Sequence, residues 1–172
     1  MLRHNSIRRI MHIETENLII TKFHPNMAES VHKISLDQDN RRFVPDEVFA
    51  TVEEAEKAIC GIISFYDNLK KPQIYAVTLK NNNQHIGHVQ AVTINNVWEI
   101  GYHISEKHTG KGYATQAINA FLPEIMKVLG ISEILGVCDK ENFASARVLE
   151  KCGFIKHCGK LRQHKLVYVF RL

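Results

Sequence analysis

The chain has 172 residues, 45% of them hydrophobic, and a formal net charge of +4. That length encloses one core, and no Pro/Gly/Ser-rich linker or internal repeat divides it. The basic residues are scattered, which excludes the concentrated stripe of a dedicated nucleic-acid binder and suits a polyanionic small ligand. Cys60, Cys138, Cys152 and Cys158 form no CxxC pair, so reduced thiols and a cytoplasmic location are expected rather than a disulfide framework or a zinc site.

Residues 1–11 contain Arg3, Arg8 and Arg9 but no long apolar stretch, and match neither a secretory signal nor a membrane span. They read as a disordered N-terminal extension ahead of a single domain at 12–172, with Met11 as a second start. Leu18, Ile19, Ile20 and Phe23 predict a first strand, and Pro25 opens a short helix over 26–37. Thr51 and Glu54 have the spacing of a capping box, ahead of a helical face made by Val52, Ala55, Ile59, Ile62, Ile63 and Tyr66. Strands follow at 73–80, 85–94 and 97–105, separated by Asn81–Asn83 and by Asn95 with Asn96, and predict an antiparallel meander. His85 and His88, an odd step apart, are expected on opposite faces of their strand, and no metal site is expected anywhere.

Between residues 102 and 117 a strand passes into a helix through Gly110, Lys111, Gly112, Tyr113, Ala114 and Thr115. Glycines let the backbone approach a ligand, and the first amides of a helix, which lack intrahelical partners, point at an anion. The turn is neither a Walker loop, which needs GxxxxGK with Ser or Thr, nor a dinucleotide fingerprint, because Thr115 stands where a third glycine would be. Ala114, Ala117, Ile118, Phe121, Ile125, Val128 and Leu129 give the helix an apolar face, and Pro123 predicts a kink within it. A strand at 132–138, a helix at 142–152 capped by Asn142 and ended by Gly153, and strands at 154–157 and 165–171 complete the chain. Ser145 shares a helix face with Val148, Leu149 and Cys152 and so lies on the buried side of the first turn. The order predicts an α/β fold of the α+β kind: a mixed, mostly antiparallel sheet of about seven strands flanked by helices. A nicotinamide-dependent oxidoreductase, with Asp139 on a ribose, fails on this order.

Together, Gly110, Lys111, Gly112, Tyr113, Ala114 and Thr115 with Asn142, Ser145, Val148, Leu149, Glu150, Lys151, Gly153 and Phe154 resemble the GNAT superfamily of acetyl-CoA-dependent N-acetyltransferases. The branch that looks nearest is the ribosomal-protein alanine acetyltransferases, whose opening is echoed by Glu14, Thr15, Glu16, Asn17, Leu18 and Ile19. The chain departs from that pattern at Lys107, where the family usually has Gln or Arg, and at Thr109, where the branch often has Trp.

The resemblance implies an acyl-CoA N-acyltransferase fold with acetyl-CoA as co-substrate and no metal. The backbone of Tyr102, His103 and Ile104 would pair with the pantetheine arm. Amides from Gly110 through Lys111, Gly112, Tyr113 and Ala114 to Thr115, with Lys107 beside them and Asn142 opposite, would hold the rest of the coenzyme. Glu99 is the expected base, directly or through water, with His103 and His108 as substitutes, and Ser145 would hydrogen-bond the departing thiolate. The acceptor would be an amine, either a protein N-terminus or a small molecule, with Arg41, Arg42 and Asp46 near its pocket. Neither nucleic acid nor membrane is an expected partner, and the chain would be a monomer or homodimer. The alternative is a catalytically weak acyl-CoA-binding sensor or assembly module.

Overall fold

The strand Gln73–Leu79 is buried along nearly its whole length, as a strand covered on both faces must be, and the sheet is organised around it. The computed structural model describes residues 11–157 and 164–172, so all but the last residue of the extension expected over residues 1–11, and Cys158, lie outside the described residues. Eight strands form one sheet: β1 (His12–Glu14), β2 (Leu18–Thr21), β3 (Gln73–Leu79), β4 (His85–Ile94), β5 (Val97–Ile104), β6 (Glu133–Asp139), β7 (Ile155–Lys156) and β8 (Lys165–Arg171). Their order across the sheet is β1-β2-β3-β4-β5-β6-β8-β7, and every neighbouring pair is antiparallel except β5 with β6. The strand beyond the expected seven is β1, whose three residues are too few to show an alternating pattern in sequence. Met11, assigned above to the extension, is 7% exposed and packs in the main core.

Alternation along β3 divides the core in two. Tyr75, Val77 and Leu79 join Ile118, Phe121, Leu122 and Ile125 of α4 (Tyr113–Leu129) and Leu149 of α5 (Phe143–Lys151). Ala76 packs with Phe23, Ala28 of α1 (Ala28–Ser35) and Ile59 of α3 (Val52–Phe65) on the other face. Phe23 serves this second cluster from beyond the end of β2, rather than from within the strand. Thr51 caps α3 as its spacing predicts, its Oγ1 accepting from Glu54 N at 3.2 Å, while the Glu54 carboxylate accepts from Ala50 N at 2.7 Å. Pro123 lies on the exposed side of α4, and the helix continues past it to Leu129.

Two local features differ from the sequence reading. The segment between the first two expected helices, for which the sequence signals no element, holds α2 (Gln38–Phe43) and a 3-10 turn at Pro45–Glu47. Six residues, Gln-Asp-Asn-Arg-Arg-Phe, carry no apolar stripe, and tertiary contacts fix this helix: Asp37 Oδ2 accepts from Glu106 N at 2.9 Å, and Gln38 N donates to the Glu106 carboxylate. The second difference is a β-bulge. The β3–β4 register passes from Val77↔Gly87 to Thr78↔His85, so Ile86 is the extra residue and the alternation of β4 shifts by one. His85 and His88 therefore face the same side, that of α1 and α3, and the expectation of opposite faces is corrected. Gly87 is required at this point because a Cβ there would lie 2.0 Å from His103 O.

Candidate active site

β5 and β6 are joined by two residue pairs, Glu99↔Leu135 and Ile100↔Gly136. Beyond them the strands part, and a cavity of about 460 Å³ occupies the gap. Its lining comes from both faces of the sheet: Tyr102, Ser145 and Leu149 from the α4–α5 side, and Asn40, Glu47 and His88 from the α1–α3 side. The cavity therefore passes through the sheet. Alternate residues between Gly101 and Ile104 turn their N–H and C=O groups into this gap, where no strand meets them, and an extended amide-bearing ligand could do so.

At one end of the gap the chain enters α4. Gly110 and Gly112 have φ of 75° and 78°, left-handed values that favour glycine, and an added Cβ at either would meet nothing within 4 Å, so conformation rather than space selects them. No side chain caps α4 and its first turn has no acidic residue, which leaves the Tyr113, Ala114 and Thr115 amides and the positive end of a 17-residue helix available to an anion. Gln116 anchors this turn to the β1–β2 connection, accepting from Thr15 Oγ1 at 2.9 Å and from Asn17 N at 3.3 Å. Lys107 and Lys111 are exposed and do not line the cavity, whereas Arg147 and Lys151, one turn apart on α5, do.

Across the gap, Asn142 Oδ1 accepts from Ser145 N at 3.0 Å and so starts α5 with Ser145 facing the cavity. The Tyr102 hydroxyl lies 3.0 Å from Ser145 O, to which it donates, and 2.8 Å from Ser145 Oγ, a contact in which either hydroxyl can be the donor. Burial raises the Tyr102 phenol well above its usual range, and burial likewise raises the Cys138 thiol, so both keep their protons.

On the α1–α3 side, His103 Nε2 lies 3.1 Å from Asp37 Oδ2, and His88 Nε2 lies 3.6 Å from Glu47 Oε2. Gln90 Nε2 donates to Glu47 Oε1 at 3.3 Å. Burial lowers the His88 pKa, outweighing the opposite pull of Glu47, while the nearby His103 lowers it further. His108, also lining the cavity, is depressed by burial and then by the Lys111 and Lys107 ammonium groups.

The structure thus brings Tyr102, His103, Ile104, Gly110, Gly112, Tyr113, Ala114, Thr115, Asn142 and Ser145 to one cavity. Glu99 is not brought there. It shares the His103 face of β5 by alternation, but it is 5% exposed and does not line the cavity. Arg41, Arg42 and Asp46 are exposed and line neither side; Arg42 instead pairs with Glu141 at 2.8 Å. Sequence reasoning missed Asn40, Glu47, His88 and Gln90, which belong to no motif and meet only through the fold. Among the described residues, no group of three or more His, Cys, Asp or Glu could hold a metal ion, and no helix is long and apolar enough to cross a membrane.

A mostly antiparallel sheet that splits at its single parallel seam, with an uncapped helix opening beside the split, defines an acyl-CoA N-acyltransferase fold. The family described as acetyltransferase (GNAT) domain matches residues 17–155, and the chain belongs to this family of N-acetyltransferases. It is 30% identical over 155 residues to the uncharacterized N-acetyltransferase YnaD of Bacillus subtilis (strain 168), covering 86% of this chain and 88% of that protein. A GNAT-family acetyltransferase from Bacillus anthracis superposes with a TM-score of 0.78 at 28% identity, covering 94% of this chain and 98% of its own. RimL, a ribosomal L7/L12 α-N-protein acetyltransferase solved with coenzyme A, superposes with a TM-score of 0.78 at 18% identity over 94% of this chain and 98% of its own, a likeness of fold.

Proposed function

We propose that the chain transfers the acetyl group of acetyl-CoA to a primary amine, on a protein N-terminus or a small molecule. The observation that carries this reading is the through-sheet cavity, which offers unpaired strand backbone and an uncapped helix N-terminus from one side and polar side chains from the other. Acetyl-CoA supplies an activated thioester; a C–N bond forms as the C–S bond breaks, and the proton lost by the amine leaves through the protein.

The residues suit the coenzyme. Backbone along Tyr102, His103 and Ile104 would hold the pantetheine amides, and the amides from Gly110 to Thr115 the pyrophosphate, with Lys107 and Lys111 adding exposed positive charge and Arg147 and Lys151 available to a further phosphate. Asn142 contributes by fixing the start of α5. Ser145, oriented by Tyr102, would hydrogen-bond the departing thiolate, since a thiol with a pKa of about 8.5 needs little help to leave.

An α-amine has a pKa of about 7.7 to 8.0 and a lysine about 10.4, so a proton must be removed. His88 can take it directly: it lines the cavity, burial keeps it neutral, and the Glu47 carboxylate would stabilise the imidazolium formed. Glu99 would act only through water, because its carboxyl does not reach the cavity. The test is free CoA released from acetyl-CoA with a mixed set of amines. Amine-dependent release is expected; acetyl-CoA binding without release would support the sensor reading, and no binding at millimolar acetyl-CoA would overturn both.

A further inference from the structure

A second cavity, of about 230 Å³, lies between α1, α3 and the sheet. Phe23, Val31, Ile34, Phe49, Ile62 and Ile74 supply most of its wall. Of the two histidines in that wall, His85 bonds Ser30 Oγ through Nδ1 at 2.9 Å and is pushed down to about 4 by burial, so it is neutral and the wall there is uncharged. The chamber opens into the larger cavity, since Asn40, Glu47, His88 and Gln90 line both. At this junction Asn40 is 3% exposed; its Nδ2 donates to Ile34 O at 3.4 Å, while its Oδ1 is buried without a hydrogen-bond partner among the described residues. Asn40, Glu47, His88 and Gln90 thus form a polar mouth to an otherwise mostly apolar chamber.

We infer that the acceptor is a primary amine carrying an uncharged apolar substituent, a branched aliphatic or phenyl-sized group, which fills the chamber while the nitrogen lies at the polar mouth. This rests on the acetyl-transfer reading and adds to it the class of substrate. An apolar cavity of about 150 Å³ is enough for a benzene ring, so size is no obstacle. With its nitrogen at this mouth, the amine stands where Glu47 and His88 line both cavities and faces the coenzyme side of the gap. A second ammonium would have to enter a chamber whose only lining carboxylate among the described residues, Glu47, stands at the mouth, and an unpaired buried charge is strongly unfavourable. Polyamines and aminoglycosides are therefore poor acceptors, and protein N-termini are good ones when the first side chain is bulky and apolar.

The experiment compares CoA release with 2-phenylethylamine, ethylamine and spermidine, alongside calorimetry of acetyl-CoA alone and of 2-phenylethylamine added to the CoA-bound protein. The expected result is a kcat/KM for 2-phenylethylamine at least tenfold above both others, with direct binding heat. Ala58→Leu, which enlarges a side chain in the chamber wall, should raise KM for 2-phenylethylamine about tenfold and leave the acetyl-CoA Kd and the ethylamine KM within about twofold. Turnover that favours spermidine or ethylamine, or an Ala58→Leu effect equal for all amines at unchanged acetyl-CoA affinity, would overturn the inference while acetyl transfer stands. Absence of release with every amine would bring down both.

Discussion

The two walls of the gap recognise their ligands with different parts of the polypeptide. On the α4–α5 side, the site is mostly main chain: glycine conformations at 110 and 112, first-turn amides of α4, the parted edge of β5. On the α1–α3 side it is side chains, Asn40, Glu47, His88 and Gln90, gathered from α2, a 3-10 turn and β4. The first wall suits a co-substrate shared by a whole family, because backbone can be kept while sequence drifts. The second can be respecified by single substitutions, as an acceptor site should be.

The largest effect expected from substitution tests the side-chain wall. His88→Gln should lower kcat about 100-fold at unchanged acetyl-CoA Kd, within the usual range for a proton acceptor, whereas Glu99→Gln should cost less. The reverse ranking in steady-state kinetics would return the base to Glu99. Gly112→Val attacks the main-chain wall: a β-branched residue at φ 78° is strained by about 1–3 kcal/mol. Calorimetry should then show acetyl-CoA affinity falling by about tenfold or more, with the far-UV spectrum of a folded chain.

A third experiment separates the chamber from the chemistry. Burial pushes His85 down to about 4 from its ordinary 6.5, so between these values the unfolded chain binds the extra proton and stability is lost as pH falls. Denaturant unfolding should show about 1–2 kcal/mol lost between pH 6.5 and 5 through this group. His85→Gln should remove that part of the slope and leave the part that comes from the buried His88. Smaller still, Ser145→Ala should slow turnover about fivefold through one lost hydrogen bond, and a complete loss with intact folding would make the serine an obligatory acid. Lys111→Ala should weaken acetyl-CoA binding about twofold at low salt and less at high salt, as exposed charges do.

The main-chain wall was legible in the sequence because each of its devices is local. Gly110 and Gly112 signal a left-handed turn, Asn142 signals a cap three residues before Ser145, and the Asn95–Asn96 turn, with φ of 51° and 62°, joins its strands in two residues. The side-chain wall was not legible. Asn40 sits on a helix too short for periodicity and held in place by Glu106, far along the chain. His85 and His88 turn to one face through a bulge that Gly87 permits but does not announce. Glu99 satisfied the strand alternation and still fell short of the cavity, since alternation fixes a face but says nothing about where along the strand the sheet opens.

Two rungs are all that bind the parallel seam, so the sheet is really two panels hung side by side. Main-chain protons that look into the opening between Gly101 and Ile104 should swap with deuterated solvent far sooner than those locked against β4. An extended guest lying in that slot would act as a borrowed strand and fasten the panels together. Loading the protein with coenzyme A should therefore slow isotope uptake along the open edge of β5 and in the first turn of α4, and thereby trace the path of the guest residue by residue.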